Sequence, residues 1–300
     1  MDVAITGSSG LIGTALVEGL QASGHRPISV VRRQADDAND EISWDPAAGY
    51  IDAASFDGVD AVVHLAGAGI GDKRWNDAYK QVLVDSRIHS THLLSDALST
   101  LNKRPKRFLS GSAIGFYGDR GDETLSEAST PGTGFLAELT KDWERATSPA
   151  TDAAIPTAFL RTGIVMSRDG GVLKKMLLLF KLGLGGRIGS GRQYMSWITL
   201  VDEIAAIVHL LSSSITGPVN LTSPAPATNV EFTKALAKAV RRPAVLPVPG
   251  FGPKFLLGSE MAEALLLGGQ RVVPNALESD GFQFGDPEIE SALDTVIHPC

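Results

Sequence analysis

The feature that most restricts how this chain folds is the run Ile5-Thr6-Gly7-Ser8-Ser9-Gly10-Leu11-Ile12-Gly13 near its amino end. Three glycines stand at a G-x-x-G-x-x-G spacing between an apolar, strand-like stretch (3–6) and a helical pattern (11–23). Each glycine meets a separate physical need. Gly7 lets the chain turn off the strand, and Gly10 lets backbone N–H groups approach a pyrophosphate with no Cβ in the way. Gly13 lets the helix pack closely on the sheet. The backbone around Ser9, Leu11 and Ile12 then offers N–H donors and the positive end of a helix dipole to phosphate oxygens. A plain strand-to-helix turn without a ligand is the competing reading. The strand–turn–helix setting is what gives the glycine spacing its meaning.

The end of the second strand-like run separates two classes of dinucleotide. A carboxylate about 20 residues past the glycines accepts hydrogen bonds from a ribose 2′-hydroxyl. Here the chain reads Val30-Val31-Arg32-Arg33, and the nearest carboxylates, Asp36 and Asp37, come later. A guanidinium at that place suits a 2′-phosphate through a charge-assisted, bidentate contact. Two solvated arginines are the plainer alternative. The expectation is NADP(H), with Arg32 and Arg33 at its extra phosphate.

Strand-like runs at 3–6, 27–31, 41–44, 61–65, 107–110 and 158–161 alternate with helical patterns at 11–23, 75–98 and 134–147. That rhythm predicts an α/β fold, a doubly wound parallel Rossmann sheet. The segment 75–98 is long enough to be one bent helix or two abutting ones. A helix over 199–212 and a last sheet strand at 219–221 are expected, with a mostly helical, Pro-rich tail from 224. The expected division is a dinucleotide-binding domain over 1–165 plus 196–222. A smaller substrate or cap domain takes 166–195 plus 223–300.

Composition narrows the function classes. Net charge is −7, which disfavours binding to nucleic acid or to an anionic membrane. The single cysteine, Cys300, leaves no intrachain disulfide and no Cys-rich metal site. His89 and His92 stand at i,i+3 without a third ligand, so no metal is expected. No basic stretch with an apolar core opens the chain, and lysines interrupt its longest apolar run, so a cytoplasmic protein is expected.

At this point the sequence resembles the extended short-chain dehydrogenase/reductase superfamily. Besides the glycine loop, His64-Leu65-Ala66-Gly67 is similar to its H-x-A-G segment. Ser110-Gly111-Ser112-Ala113 followed by Phe116-Tyr117-Gly118 is similar to its S-S-x-x-V-Y-G segment. Arg74-Trp75-Asn76, Asp85-Ser86-Arg87, Arg161-Thr162-Gly163 and Pro247-Val248-Pro249 point to an "epimerase family" subgroup with a short helical C-terminal domain. The resemblance implies that Leu65, Ala66 and Gly67 line the cofactor, that Arg87 reaches its phosphates, and that Ser112 is the active-site serine.

The chain departs from the superfamily in its proton chemistry. The usual pair is a Tyr and a Lys four residues later on one helix face, where the ammonium lowers the phenol pKa. Four residues before Lys141 stands Ala137, and none of the four tyrosines has a lysine at +4. Ser112 and Tyr117 remain as catalytic candidates. Tyr117 packed beside the loop with a satisfied hydroxyl is its alternative reading. His64, at the end of a buried strand, reads as a core histidine rather than a base, and Trp44 as an adenine cover or plain core. The loop 185–192 carries Arg187 and Arg192, which suit an anionic small-molecule substrate. Tyr194, Ser196 and Trp197 follow it.

The leading expectation is an NADP-dependent oxidoreductase acting on a small carbonyl or alcohol. A nucleotide-sugar epimerase or dehydratase is the second reading. An NADP(H)-sensing regulatory protein without turnover is the third, favoured by the missing Tyr/Lys pair. Oligomeric state is left open, a homodimer being compatible.

Overall fold

The computed structural model describes residues 1–36, 39–244 and 246–299. Asp37 and Cys300, both weighed above, lie outside the described residues. Eight strands form one mostly parallel sheet in the order Gly217–Leu221, Thr157–Thr162, Arg107–Ala113, Ala61–His64, Asp2–Thr6, Arg26–Val31, Glu41–Asp45 and Tyr50–Ile51. Asp2–Thr6 pairs in parallel with both Arg26–Val31 and Ala61–His64, while Tyr50–Ile51 closes one edge antiparallel. The strands that follow Asp2–Thr6 in sequence are laid first on one side of it and then on the other. Such a reversal opens a crevice beyond the C-terminal ends of the strands, where ligands of α/β sheets bind.

Local sequence explains the elements around that crevice. Helix Leu11–Ala22 buries Gly13, Leu16 and Leu20, spaced for one helical face. The expected long helix is broken into Asp77–Val84, a π-turn over Asp85–His89, and Ser90–Ser99. Asn76 caps its start by accepting from the Tyr79 N–H at 2.8 Å. The helix expected at 134–147 spans Phe135–Arg145.

The chain gathers into two compact units. One takes Met1–Ala113, Leu139–Arg161 and Ile204–Val219; the other takes Ile114–Glu138, Thr162–Glu203 and Asn220–Cys300. The first holds a core that includes Ala4, Val30, Trp44, Val62, Leu94 and Phe108. The second is built around Leu173, Leu177, Phe180, Trp197, Phe232 and Leu236. Its helix Asn229–Ala239 opens with a capping box between Thr228 and Glu231. Among the described residues no helix is long and apolar enough to cross a membrane.

Candidate functional site

The glycine loop has the geometry its spacing predicts. Gly7 sits at φ +72°, and a Cβ there would stand 2.8 Å from the Leu65 carbonyl carbon and 2.9 Å from the Ala66 nitrogen. A Cβ on Gly13 would stand 2.1 Å from the Gly7 oxygen. Backbone therefore meets backbone at the switch point, and only hydrogen at these two Cα atoms permits it. Gly10 is the N-cap of Leu11–Ala22, with no side-chain cap and no acidic residue in the first turn. The chain's own side chains thus leave the positive helix end uncovered, and Ser9 and Gly10 are exposed there. This cradle fits a pyrophosphate.

Thr6 and His64, partners in the sheet register, lock the crevice floor. Thr6 Oγ1 accepts from the Leu65 and Ala66 N–H groups at 3.2 and 3.3 Å and stands 2.6 Å from His64 Nδ1. His64 Nε2 lies 2.9 Å from Thr91 Oγ1, and that oxygen also accepts from Trp143 Nε1 at 2.9 Å. Fully buried, His64 has its pKa pushed down to about 3 by desolvation. It is a neutral core histidine with both ring nitrogens engaged. Trp44 is 2% exposed and meets the His64 ring edge-on, so it is core rather than an adenine cover.

The two arginines after the second strand differ. Arg33 donates from both terminal nitrogens to Glu41, at 2.6 and 2.5 Å, and is committed to that carboxylate. Arg32 is exposed and has no hydrogen-bonded or ion-paired partner among the described residues. The Arg33 guanidinium thus braces the neighbouring strand, and Arg32 is the one of the two without such a pair among the described residues.

Arg87 is held by backbone carbonyls and a ring. Its Nη2 donates to the Ala68 carbonyl at 2.9 Å and its Nη1 to Leu83 O at 3.3 Å, with the guanidinium over the Trp143 ring. Burial pulls its pKa down to about 10. Ser86 accepts from the Ala68 N–H at 3.0 Å, and Tyr79 donates to Gly69 O at 2.6 Å. The π-turn therefore aims Ser86 and Arg87 at the segment following Gly67 and fixes it in place. π-turns inside helices are rare and concentrate at functional sites. In this arrangement Arg87 braces the segment after Gly67.

Ser112 is the penultimate residue of the strand Arg107–Ala113, and its hydroxyl donates to Glu144 Oε1 at 2.6 Å. Arg161 Nε reaches the same oxygen at 2.7 Å, and its Nη2 reaches Oε2 at 2.9 Å. The ion pair is buried, with side chains 4% and 11% exposed. Neither Glu144 nor Thr6 was singled out above. Glu144 follows Trp143 on a helix and is brought to Ser112 across 32 residues, which no local pattern announces.

Tyr117 belongs to a different unit from Ser112. It is entirely buried among Ile114, Phe116, Leu125 and Val272, and its hydroxyl donates to Asn220 Oδ1 at 2.7 Å. That environment corrects the catalytic expectation: Tyr117 is a packed core residue whose proton is already spent on an amide. Of the residues beyond the basic loop, Ser196 donates to Gln270 O at 2.7 Å and Trp197 to Ala225 O at 3.1 Å, both within the second unit.

A glycine-lined crevice at the switch point of a mostly parallel sheet defines a Rossmann-type protein of the extended short-chain dehydrogenase/reductase class. Within it, the chain belongs to the NAD dependent epimerase/dehydratase family, whose model matches residues 3–222. A domain of unknown function, DUF1731, matches 248–296. Epimerase family protein ML0860 of Mycobacterium leprae is 47% identical over 292 residues, 97% of this chain and 94% of that protein. Human epimerase family protein SDR39U1 is 34% identical over 301 residues, 99% of this chain and all of the human one. The crystal structure of human SDR39U1 (isoform 2) with NADPH superposes with a TM-score of 0.91 at 32% identity, covering 100% of both chains. A nucleoside-diphosphate sugar epimerase from Corynebacterium glutamicum gives a TM-score of 0.81 at 36% identity, covering 99% of this chain and 58% of that one.

Proposed function

We propose that this protein is an NADP(H)-dependent oxidoreductase acting on a small carbonyl or alcohol. The observation that carries the reading is the pair of arginines after the second strand, one clamped by Glu41 and the other, Arg32, left exposed where a 2′-phosphate would sit. NADPH in the human relative's crystal structure supports the same choice. When bound, the dinucleotide supplies hydride exchange at its nicotinamide.

The chain's own residues bind, orient and handle the proton. Ser112 gives its proton to Glu144, which leaves its oxygen as an acceptor toward a ligand hydroxyl. A proton leaving that hydroxyl passes to Ser112 Oγ as the serine proton moves to Glu144 Oε1. Arg161 holds the carboxylate in register on both oxygens. In this reading the serine and glutamate stand in for the absent Tyr/Lys pair.

Titration calorimetry tests the cofactor choice. Arg32→Ala is expected to weaken NADPH by about 10–100-fold, the worth of a charged hydrogen-bonded contact, and to leave NADH nearly unchanged. Equal weakening of both removes the 2′-phosphate role. The likeness to the Corynebacterium protein favours a second reading, nucleoside-diphosphate sugar epimerisation. An epimerase would show no net change in reduced-nicotinamide absorbance during turnover, whereas a reductase consumes NADPH when offered carbonyls.

A further inference from the structure

The tryptophan beside Glu144 is contacted in three places, and each contact leads to a different part of the candidate site. Trp143 lies on the helix Phe135–Arg145 and is 8% exposed. Its Nε1 donates to Thr91 Oγ1 at 2.9 Å, the Arg87 guanidinium lies over its ring at 5.1 Å, and its six-membered ring closes on Gly111. A Cβ on Gly111 would stand 3.0 Å from the indole Cζ2 and 2.9 Å from the His64 carbonyl oxygen, so only glycine lets indole and strand meet this closely. Consecutive helix residues thus meet consecutive strand residues: Trp143 against Gly111, and Glu144 against Ser112.

Two routes run from the indole to the segment that follows the strand Ala61–His64. The first is a chain of hydrogen bonds whose direction follows from counting protons. Thr6 Oγ1 accepts from the Leu65 and Ala66 N–H groups, which fills its two lone pairs, so its own proton goes to His64 Nδ1. The neutral imidazole then carries its proton on Nε2 and donates it to Thr91 Oγ1, the oxygen that Trp143 also reaches. Thr6, His64 and Thr91 are fully buried, so bulk water does not compete for these bonds. The second route is Arg87. Its Nη2 donates to Ala68 O, and its Cζ would be in van der Waals contact, at 3.5 Å, with a Cβ on Gly67.

We propose that Trp143 is a positioning residue that holds the acceptor Glu144 and the crevice floor at 65–68 in one geometry, a role that rests on the function proposed above. All of these residues belong to the first unit. A residue that only filled space would need volume alone. The indole adds a donated proton and a face for a cation, and each is met by a partner that itself leads to the floor.

NMR of the cofactor-free protein reads both ends at once. The Ala66 N–H reports on the floor, and the Arg161 Nε–H, which donates to Glu144 Oε1, reports on the acceptor. In the parent, ring nitrogen shifts are expected to place the His64 proton on Nε2. Trp143→Phe is expected to move both reporter resonances. Thr91→Val, which removes the hydroxyl at constant shape, is expected to move that of Ala66 alone, and Thr91→Ser neither; circular dichroism checks that each variant folds. Calorimetry then reads the consequence. Trp143→Phe and Thr91→Val are each expected to weaken NADPH about tenfold, with the double variant little worse than either because one link is broken twice. A His64 proton on Nδ1, or a Trp143→Phe protein in which either reporter stays at its parent position, overturns the proposal. So do losses of NADPH affinity that simply add, or parent affinity in Trp143→Phe. If the parent itself takes up no NADPH, the cofactor reading falls, and the resonances of the cofactor-free protein still decide the role of Trp143.

Discussion

Each of the two units buries a carboxylate, and they treat it differently. In the first, Glu144 is met by Arg161 on both oxygens and by the Ser112 hydroxyl on one. In the second, Glu203 is fully buried, accepts from Thr162 at 2.8 Å, and its Oε2 has no hydrogen-bond partner among the described residues. Desolvation pushes the Glu203 pKa up to about 8, so near neutrality it is held as a neutral acid. The Arg161 cation fixes the first carboxylate in a hydrogen-bonded cluster; the second, without a cation, becomes a titrating element of the fold.

The sharpest way to break the comparison is to remove the cation. Arg161→Ala is expected to cost about 3–5 kcal/mol, because it strands a buried charge. Replacing both partners, Arg161→Met with Glu144→Leu, is expected to recover most of that loss, since apolar pairs of similar volume substitute well for buried ion pairs. Urea unfolding of the single and double variants measures both. If the double variant is as unstable as the single, packing rather than charge dominates the site.

The carboxylate without a cation gives a pH signature of the opposite kind. The folded pKa of Glu203 is raised from 4.5, so its contribution is fully present below about pH 4.5 and is lost as pH rises through about 8. His64 in the first unit has its folded pKa lowered from 6.5, and its contribution is present above about pH 6.5 and lost as pH falls toward 3. Each window is worth at most about 5 kcal/mol at its far end. Glu203→Gln is expected to flatten the decline in thermal midpoint between about pH 5 and 8 while leaving the limb set by His64 in place. An unchanged decline would detach pH sensitivity from Glu203.

How much of this is legible in the sequence follows from how far apart the partners lie. The glycine loop is readable because much of what determines it is local: a Cβ on Gly13 would meet the Gly7 carbonyl within one strand-to-helix turn. The strands are readable too, since buried parallel strands appear as short apolar runs. Pairings between elements are different. That Arg33 rather than Arg32 is clamped depends on Glu41 arriving from the next strand. That Ser112 has an acceptor depends on a helix 32 residues later lying against its strand. Spacing within a segment carries no record of such meetings.

A smaller perturbation probes the readable part. Gly13→Ala places a methyl about 2.1 Å from the Gly7 oxygen, so the helix must shift from the loop. The expected cost is about 1–3 kcal/mol, typical of overpacking, with loss of most NADPH uptake in calorimetry. Retained uptake at wild-type stability would mean the loop tolerates a Cβ and lacks the close contact ascribed to it.

The smallest expected effect separates the two catalytic candidates along the same line between units. Tyr117→Phe removes one O–H from a core that keeps its ring packing, and Asn220 still donates from Nδ2 to Val273 O at 2.9 Å. The cost is therefore expected to be about 1–2 kcal/mol, the price of one buried acceptor losing its donor. NADPH consumption with any carbonyl the protein accepts should stay within about twofold of the parent, because a phenol already donated to Asn220 carries no proton to the ligand. Glu144→Gln should instead lower that consumption, since an amide of the same shape cannot take the proton from Ser112. If Tyr117→Phe stops turnover at intact stability while Glu144→Gln leaves it unchanged, proton handling belongs to the second unit and the assignment reverses.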